Sequence, residues 1–156
     1  MVDMERKIYV HSLSEMDELA NIISECIRPG LIIGLAGDLG SGKTTFTKFL
    51  AKHMGIDANV NSPTFTILKI YPRTLPLYHI DVYRLENIGY DFELDDFIYG
   101  DGVAVIEWYS YIKDMLPEEM LTMDISMIND DLREIIIKGS GEYAKIVETI
   151  SNRYRN

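Results

Sequence analysis

Apolar residues recur along this chain with two spacings, one typical of strands and the other typical of helices. Two apolar runs, LIIGLA at 31–36 and VAVIEW at 103–108, predict buried strands in the middle of a sheet. Alternation predicts five more strands, at 7–11, 64–71, 77–83, 120–128 and 132–138. Apolar positions three or four residues apart predict helices at 15–27, 43–55, 90–99 and 142–153. No linker or repeat interrupts this order, so the pattern predicts one α/β domain over residues 1–156.

A glycine-rich segment, GDLGSGKTT at 37–45, joins the first apolar run to the next predicted helix. It fits the phosphate-loop pattern G-x-x-x-x-G-K-[ST], with Gly37, Gly42, Lys43 and Thr44 in the fixed positions. Glycine lets the backbone wrap closely around an anion, and the start of the helix adds the positive end of its dipole. The segment therefore predicts nucleotide binding. The fold expected from it is a P-loop NTPase-like domain with three layers and a mixed central sheet.

The chemistry of the loop gives a role to several of its side chains. We expect Lys43 to reach the β- and γ-phosphates and the Thr44 hydroxyl to bind Mg²⁺. Asp38 is unusual beside a polyanion, so we expect its carboxylate to point outward, as a turn residue would. The predicted nucleotide-binding residues of the loop are Asp38, Leu39, Gly40, Ser41, Gly42, Lys43, Thr44 and Thr45.

Two acids on other strands could complete such a site, because a phosphate loop needs a second element that holds Mg²⁺ or orients water. Asp81 lies in HIDVYR and Glu107 ends the second apolar run. Ligands of open α/β sheets gather at the carboxyl ends of the strands, where both acids are predicted. The alternative for Asp81 is a turn or an ion pair with Arg84. His79 is more often a satisfied strand histidine than a base or ligand.

Three further features have two interpretations each. The segment NSPT at 61–64 is either a switch facing the γ-phosphate or a capped turn. Trp108 either fills the sheet edge or lies near the nucleotide or a partner. Arg133 shares a predicted strand face with apolar residues, which suits a side chain that extends to solvent or meets a ligand.

Charge and composition narrow the class of protein. The chain has 156 residues and a net charge of −10, which argues against independent binding of nucleic acid. Its single cysteine cannot form an internal disulfide. No apolar run reaches membrane-spanning length and no signal peptide opens the chain, so we expect a cytoplasmic protein without membrane contact.

Four motifs in order, GDLGSGKTTFTK, VNSPTFTI, LYHIDVYRLE and GVAVIEW, resemble those of the TsaE (formerly YjeE) family. These are small ATPases of bacterial tRNA threonylcarbamoyladenosine biosynthesis, and the resemblance covers about residues 13–133. The first motif is shared by many nucleotide-binding families, whereas SPTFT followed by YHIDVYR and IEW is far more specific.

The resemblance implies a role for each matching residue. It implies that the loop binds ATP, that Thr44 and Glu107 hold Mg²⁺, and that Asp81 acts in hydrolysis. The predicted catalytic residues are therefore Asp81 and, from the chemistry of the loop, Lys43. It assigns Thr64 to a switch-like segment and a functional role to Trp108. It also implies base contacts from the region of Glu15 and from the strand arginine that matches Arg133.

The resemblance implies partners as well. The family acts with the TsaB–TsaD heterodimer, which modifies the adenosine beside the tRNA anticodon, so contact with tRNA is expected only through that complex. We expect slow, partner-coupled ATP hydrolysis, because no arginine finger is evident unless Arg84 serves.

Rival functions are a small P-loop kinase and a nucleotide-dependent assembly module without significant turnover. Residues 86–107 contain no Lys or Arg, which disfavours the basic lid of a kinase. A GTPase is disfavoured by the lack of an N-K-x-D-type motif.

Overall fold

The structure is a computed structural model that describes residues 3–57, 60, 67–85 and 91–155, and for residue 84 only the backbone. It contains one seven-stranded sheet in the order β1-β7-β6-β2-β5-β4-β3. The strands are β1 (Asp3–Val10), β2 (Ile32–Ala36), β3 (Leu68–Tyr71), β4 (Leu77–Asp81), β5 (Val103–Glu107), β6 (Leu121–Asn129) and β7 (Leu132–Ser140). The α-helices are α1 (Leu13–Ser24), α2 (Lys43–His53), α3 (Asp95–Ile98) and α4 (Tyr143–Arg153).

The sheet is mixed, as predicted. β2 lies between β5 and β6 and runs parallel to both, and β4 runs parallel to β5. β3 pairs antiparallel with β4, and β7 pairs antiparallel with both β1 and β6. The two apolar runs in the sequence are therefore the neighbouring central strands β2 and β5, which are buried on both faces.

Apolar side chains cover both faces of the parallel strands and make three layers. On one face α1, α2 and α4 pack against β2, β5, β6 and β7, with Leu19, Phe46 and Ile150 fully buried. On the other face α3 and a 3₁₀ segment, Tyr109–Met115, pack over Ile80 and Ile106. The predicted α/β three-layer fold is confirmed.

Some element bounds differ from those predicted. β1 begins at Asp3, because it pairs with β7 along its whole length and not only where it alternates. The predicted helix at 90–99 is reduced to a 3₁₀ turn at Phe92–Leu94 and the four residues of α3. The 3₁₀ segment Tyr109–Met115 was not predicted, and residues 64–66 of the third predicted strand lie outside the described residues. No helix in the described ranges is long and apolar enough to cross a membrane.

The only glycine of β2, Gly34, lets an aromatic ring lie directly on the strand. A Cβ built at Gly34 would lie 2.7 Å from Cγ of Tyr109 and 2.8 Å from Cε of Met120. The Tyr109 hydroxyl in turn donates to Oδ1 of Asp124 at 2.9 Å, which ties the 3₁₀ segment to β6. The strand that leads into the glycine-rich loop is thereby fixed by close packing.

Gly34→Ala should lower the free energy of unfolding by about 1–3 kcal/mol, because the ring of Tyr109 must move away from β2. Urea unfolding followed by circular dichroism would measure the change. Ser126→Ala is the control, because Ser126 is exposed on β6 and its loss should change stability by less than about 0.5 kcal/mol. Equal stability of Gly34→Ala and wild type would contradict this packing.

Candidate active site

A cleft of about 450 Å³ lies at the carboxyl ends of β2, β4 and β5, beside the start of α2. The junction of β1 and α1 and the turn between β6 and β7 form its remaining walls. Parallel pairing explains the convergence, because the register places Asp81 beside Glu107 and Glu107 beside Leu35. The residues lining the cleft are Val10, His11, Ser12, Leu13, Met16, Leu39, Gly40, Ser41, Gly42, Lys43, Thr44, Thr45, Asp81, Glu107, Trp108, Asp130, Asp131 and Arg133.

The glycine-rich loop leads from β2 into α2 and has the backbone expected of an anion site. Gly42 is the N-cap of α2 and has φ 115°, a conformation that favours glycine. It lines the cleft together with the first residues of α2, so the free N–H groups of the first helical turn lie there. Gly37 has φ 148°, and a Cβ there would lie 2.5 Å from the carbonyl oxygen of Ile125. A side chain at Gly37 would therefore push the loop away from β6.

Lys43 lies on the floor of the cleft and is 5 % exposed. Its ammonium donates to the carbonyl oxygens of Gly37 and Asp38, the latter at 3.1 Å, and lies 4.4 Å from the ring centroid of Trp108. Burial lowers the pKa of Lys43, while the charges of Glu107, Asp81 and Asp38 act in the opposite direction. The cation is thus held by the loop's own carbonyls and by an aromatic face.

Glu107 is 2 % exposed and faces the start of α2. The Thr44 hydroxyl donates to its carboxylate, with distances of 3.3 Å to Oε2 and 3.5 Å to Oε1. The Nε2 of His79 also contacts Oε2. A carboxylate and a hydroxyl beside a phosphate loop fit Mg²⁺, which takes oxygen ligands and combines one or two protein groups with substrate phosphates.

Asp81 ends β4 beside Glu107, and its side chain lines the same cleft. Its Oδ1 accepts a hydrogen bond from the backbone N–H of Tyr83 at 3.0 Å. The carboxylate thus has a fixed position at the strand end and also borders the open cleft, where a water molecule could meet it. The structure brings together Lys43, Thr44, Asp81 and Glu107, as the sequence predicted.

Trp108 has φ 63°, the left-handed conformation, which is uncommon for a residue other than glycine. Its backbone N–H donates to the carbonyl of Leu35, and its ring stacks on Tyr111 at 5.6 Å and meets Tyr83 at 4.8 Å. This backbone turn brings the indole over Lys43 at the end of β5. Unusual backbone conformations of this kind concentrate at functional sites.

Comparison with known proteins identifies the family of this chain. The sequence model of the family described as "Threonylcarbamoyl adenosine biosynthesis protein TsaE" matches residues 10–135. The chain belongs to the TsaE family. A relative from Bacillus subtilis named tRNA threonylcarbamoyladenosine biosynthesis protein TsaE is 45% identical over 139 residues, which cover 88% of each chain. A relative of the same name from Treponema pallidum is 39% identical over 118 residues, 74% of this chain and 87% of the relative.

A solved structure supports the same assignment. The crystal structure of YdiB from Bacillus subtilis is 36% identical to this chain, with a TM-score of 0.84 over 99% of both chains. The TsaE resemblance and the fold class inferred from the sequence are both confirmed.

The base-contacting roles expected of Glu15 and Arg133 in the TsaE family stay predictions, and the structure gives each side chain other partners. Arg133 lines the cleft, but its Nε donates to the Ser41 carbonyl at 3.0 Å and its Nη1 donates to carbonyls of the β6–β7 turn. Glu15 is absent from the lining and accepts hydrogen bonds from the backbone and ring of His11. In this structure Arg133 connects the glycine-rich loop to β7, and Glu15 fixes the start of α1.

Several cleft residues were not predicted. His11, Ser12, Leu13 and Met16 line the cleft on the side of α1, next to the expected Glu15. Leu13 is 69% exposed, which could have signalled a binding surface, but exposure is not visible in a sequence. Asp130 and Asp131 lie in a turn whose approach to the loop depends on the pairing of β6 with β7. Thr64 and the side chain of Arg84 lie outside the described residues.

The pKa of Glu15 makes the start of α1 sensitive to acid. Burial acts to raise this pKa, but hydrogen bonds from the backbone and ring of His11, the charge of His11 and the hydroxyl of Tyr154 lower it below 4.5 overall. A carboxyl whose pKa is lowered in the folded state stabilises the protein above its unfolded pKa, and the stabilisation is lost as the pH falls through the folded pKa.

Glu15→Gln should therefore lower the free energy of unfolding at pH 7 by about 1 kcal/mol, and the deficit should shrink as the pH falls below 4.5. Urea unfolding at a series of pH values from neutral into this range would measure it. Glu18→Gln is the matched control, because Glu18 is exposed on the same helix and should change stability by less than about 0.5 kcal/mol. A deficit that stays constant over the whole series would refute the assigned role of the Glu15 charge.

Proposed function

We propose that this chain binds and slowly hydrolyses ATP in tRNA threonylcarbamoyladenosine biosynthesis, where it acts on a TsaB–TsaD-type heterodimer. Membership of the TsaE family supports a role in this pathway, because the family and the relatives are named after it. The observation that carries the catalytic part is the convergence of Lys43, Thr44, Asp81 and Glu107 on one cleft at a glycine-rich loop.

Nucleotide binding would use the backbone of the loop and the start of α2. Free N–H groups at the first turn of α2 provide donors for phosphate oxygens, and the helix dipole favours their negative charge. Lys43 is already buried beside the loop, so phosphate oxygens would replace the carbonyls of Gly37 and Asp38 as its partners. This exchange requires no new cation in the cleft.

Thr44 and Glu107 are the residues that would hold Mg²⁺, since their oxygens lie within 3.5 Å of each other at the cleft. When bound, the ion neutralises charge on the phosphate oxygens. Asp81 would orient a water molecule and accept its proton, as a carboxylate at hydrogen-bonding distance can.

Slow turnover is expected because the cleft offers little available positive charge. Among the described residues that line it, the arginine is Arg133, whose guanidinium is engaged with backbone carbonyls. Little positive charge is therefore available to stabilise the transition state unless a partner supplies it, as an arginine finger does. The net charge of −10 agrees with contact with tRNA only through the partner complex.

Asp81→Asn should retain ATP binding and lose hydrolysis by at least about 100-fold, because general-base catalysis contributes on that scale. Lys43→Ala should lose binding itself. Calorimetric titration with ATP and release of inorganic phosphate measure the two steps separately. Asp114→Asn, at an exposed position outside the cleft, is the matched control and should behave as wild type.

Full hydrolysis by Asp81→Asn would exclude its role as a base. Binding of ATP by the wild type without any hydrolysis would instead favour an assembly module.

Reconstitution tests the pathway directly. Addition of the wild-type chain and ATP to a TsaB–TsaD heterodimer, threonylcarbamoyl donor and tRNA should increase the modified nucleoside formed per heterodimer. Lys43→Ala should give no increase, because nucleotide no longer binds. Nucleoside analysis by mass spectrometry measures the product, and equal product with and without the wild-type chain would reject the proposed function.

A further inference from the structure

His79 lies in β4, two residues before Asp81, on the same face of the sheet as Asp81 and Glu107. It neighbours Val105 in the β4–β5 register, as Asp81 neighbours Glu107. Side chains two residues apart on a strand share a face, so the imidazole lies under the carboxylate of Glu107. His79 is fully buried, and its Nε2 contacts Oε2 of Glu107.

The imidazole of His79 has one hydrogen-bond partner among the described residues, which is Glu107. A carboxylate can only accept, so the Nε2–H donates to Glu107. The other ring nitrogen, Nδ1, is buried and has no hydrogen-bond partner among the described residues. An unpartnered buried nitrogen costs free energy that an apolar residue of similar volume would avoid. The contact with Glu107 is therefore the one polar contact of the described structure that accounts for histidine at this position.

The contact with His79 also fixes the orientation of the Glu107 carboxylate at the cleft. Oε2 is held by His79 and lies 3.3 Å from the Thr44 hydroxyl, whereas Oε1 lies 3.5 Å from it. Without His79, a carboxylate that is 2 % exposed would lose its buried donor and could rotate about its terminal torsion. Groups that fix the orientation of a ligating side chain control metal affinity.

We propose that His79 is a positioning residue, which holds the carboxylate of Glu107 in the orientation that binds magnesium. The inference rests on the proposed function, because it requires Glu107 to be a magnesium ligand. It assigns His79 no contact with nucleotide and no proton transfer. The role distinguishes His79 from a buried histidine that only fills space in the core.

Two substitutions test separately the N–H donor and the volume of the His79 side chain. His79→Leu fills the space without a donor, and His79→Gln restores an N–H at the end of a side chain of similar reach. Val105→Ala is the matched control, because it makes a cavity beside His79 and leaves Glu107 and its partners intact. If His79→Leu does not fold, His79→Asn takes its place, since its amide is too short to reach Glu107.

Calorimetric titration with the non-hydrolysable ATP analogue AMPPNP, over a series of Mg²⁺ concentrations and in EDTA, provides a readout that does not depend on hydrolysis. Mg²⁺ should increase the affinity for AMPPNP. His79→Leu should raise the Mg²⁺ concentration that gives half of this increase by about 10-fold or more. Its affinity in EDTA should equal that of wild type, because the phosphate loop is unchanged. His79→Gln should recover most of the loss, and Val105→Ala should lose stability without a change in Mg²⁺ requirement.

The inference is overturned if His79→Leu needs no more Mg²⁺ than wild type, or if His79→Gln is as impaired as His79→Leu. An equal loss of affinity in EDTA and in Mg²⁺ would show a structural role and would overturn it as well. A wild-type protein whose AMPPNP binding does not respond to Mg²⁺ would reject the magnesium site of the proposed function, and this inference with it.

Discussion

The burial of opposite charges at the ends of parallel strands is the constraint on which the site depends. Lys43 and Glu107 are 5 % and 2 % exposed. Removing an ion from water costs several kcal/mol even after relaxation, so each charge needs close polar partners. Carbonyls of the glycine-rich loop partner the ammonium, and Thr44 and His79 partner the carboxylate. The positions of β2, β4, β5 and α2 are thus coupled through these few contacts.

The central part of the fold could be predicted because its local and global signals agree. Apart from Glu107 at the end of β5, the runs at β2 and β5 are apolar, which is typical of strands buried on both faces. The loop pattern predicts a helix directly after the loop. The length of β1 could not be predicted, because its polar first half is held by pairing with β7, more than a hundred residues away. The 3₁₀ segment after Trp108 was also missed, since its apolar residues have no regular period and fold against Gly34 and β4.

The same distinction applies to the site. Lys43 and Thr44 could be predicted from a local pattern, and Asp81 and Glu107 from the rule that ligands meet strand ends. His79 was interpreted as a strand histidine, because its contact with Glu107 depends on the register between β4 and β5. The engagement of Arg133 with Ser41 depends on a turn that returns β7 to the loop. Side-chain contacts that depend on the register or return of distant strands leave no periodic signal in the sequence.

The partners of Lys43 show how its buried charge is stabilised in this structure. Burial of the ammonium is unfavourable, but the carbonyl oxygens of Gly37 and Asp38, the ring of Trp108 and nearby carboxylate charges offset this cost. The carbonyls and the ring are weaker partners than phosphate oxygens, which carry formal charge and make stronger hydrogen bonds. A phosphate bound by the loop, as we propose, would therefore be a stronger partner for Lys43 than these carbonyls are. Because Trp108 stacks on Tyr111 and meets the half-exposed Tyr83, the indole connects the buried lysine to an aromatic cluster beside the cleft.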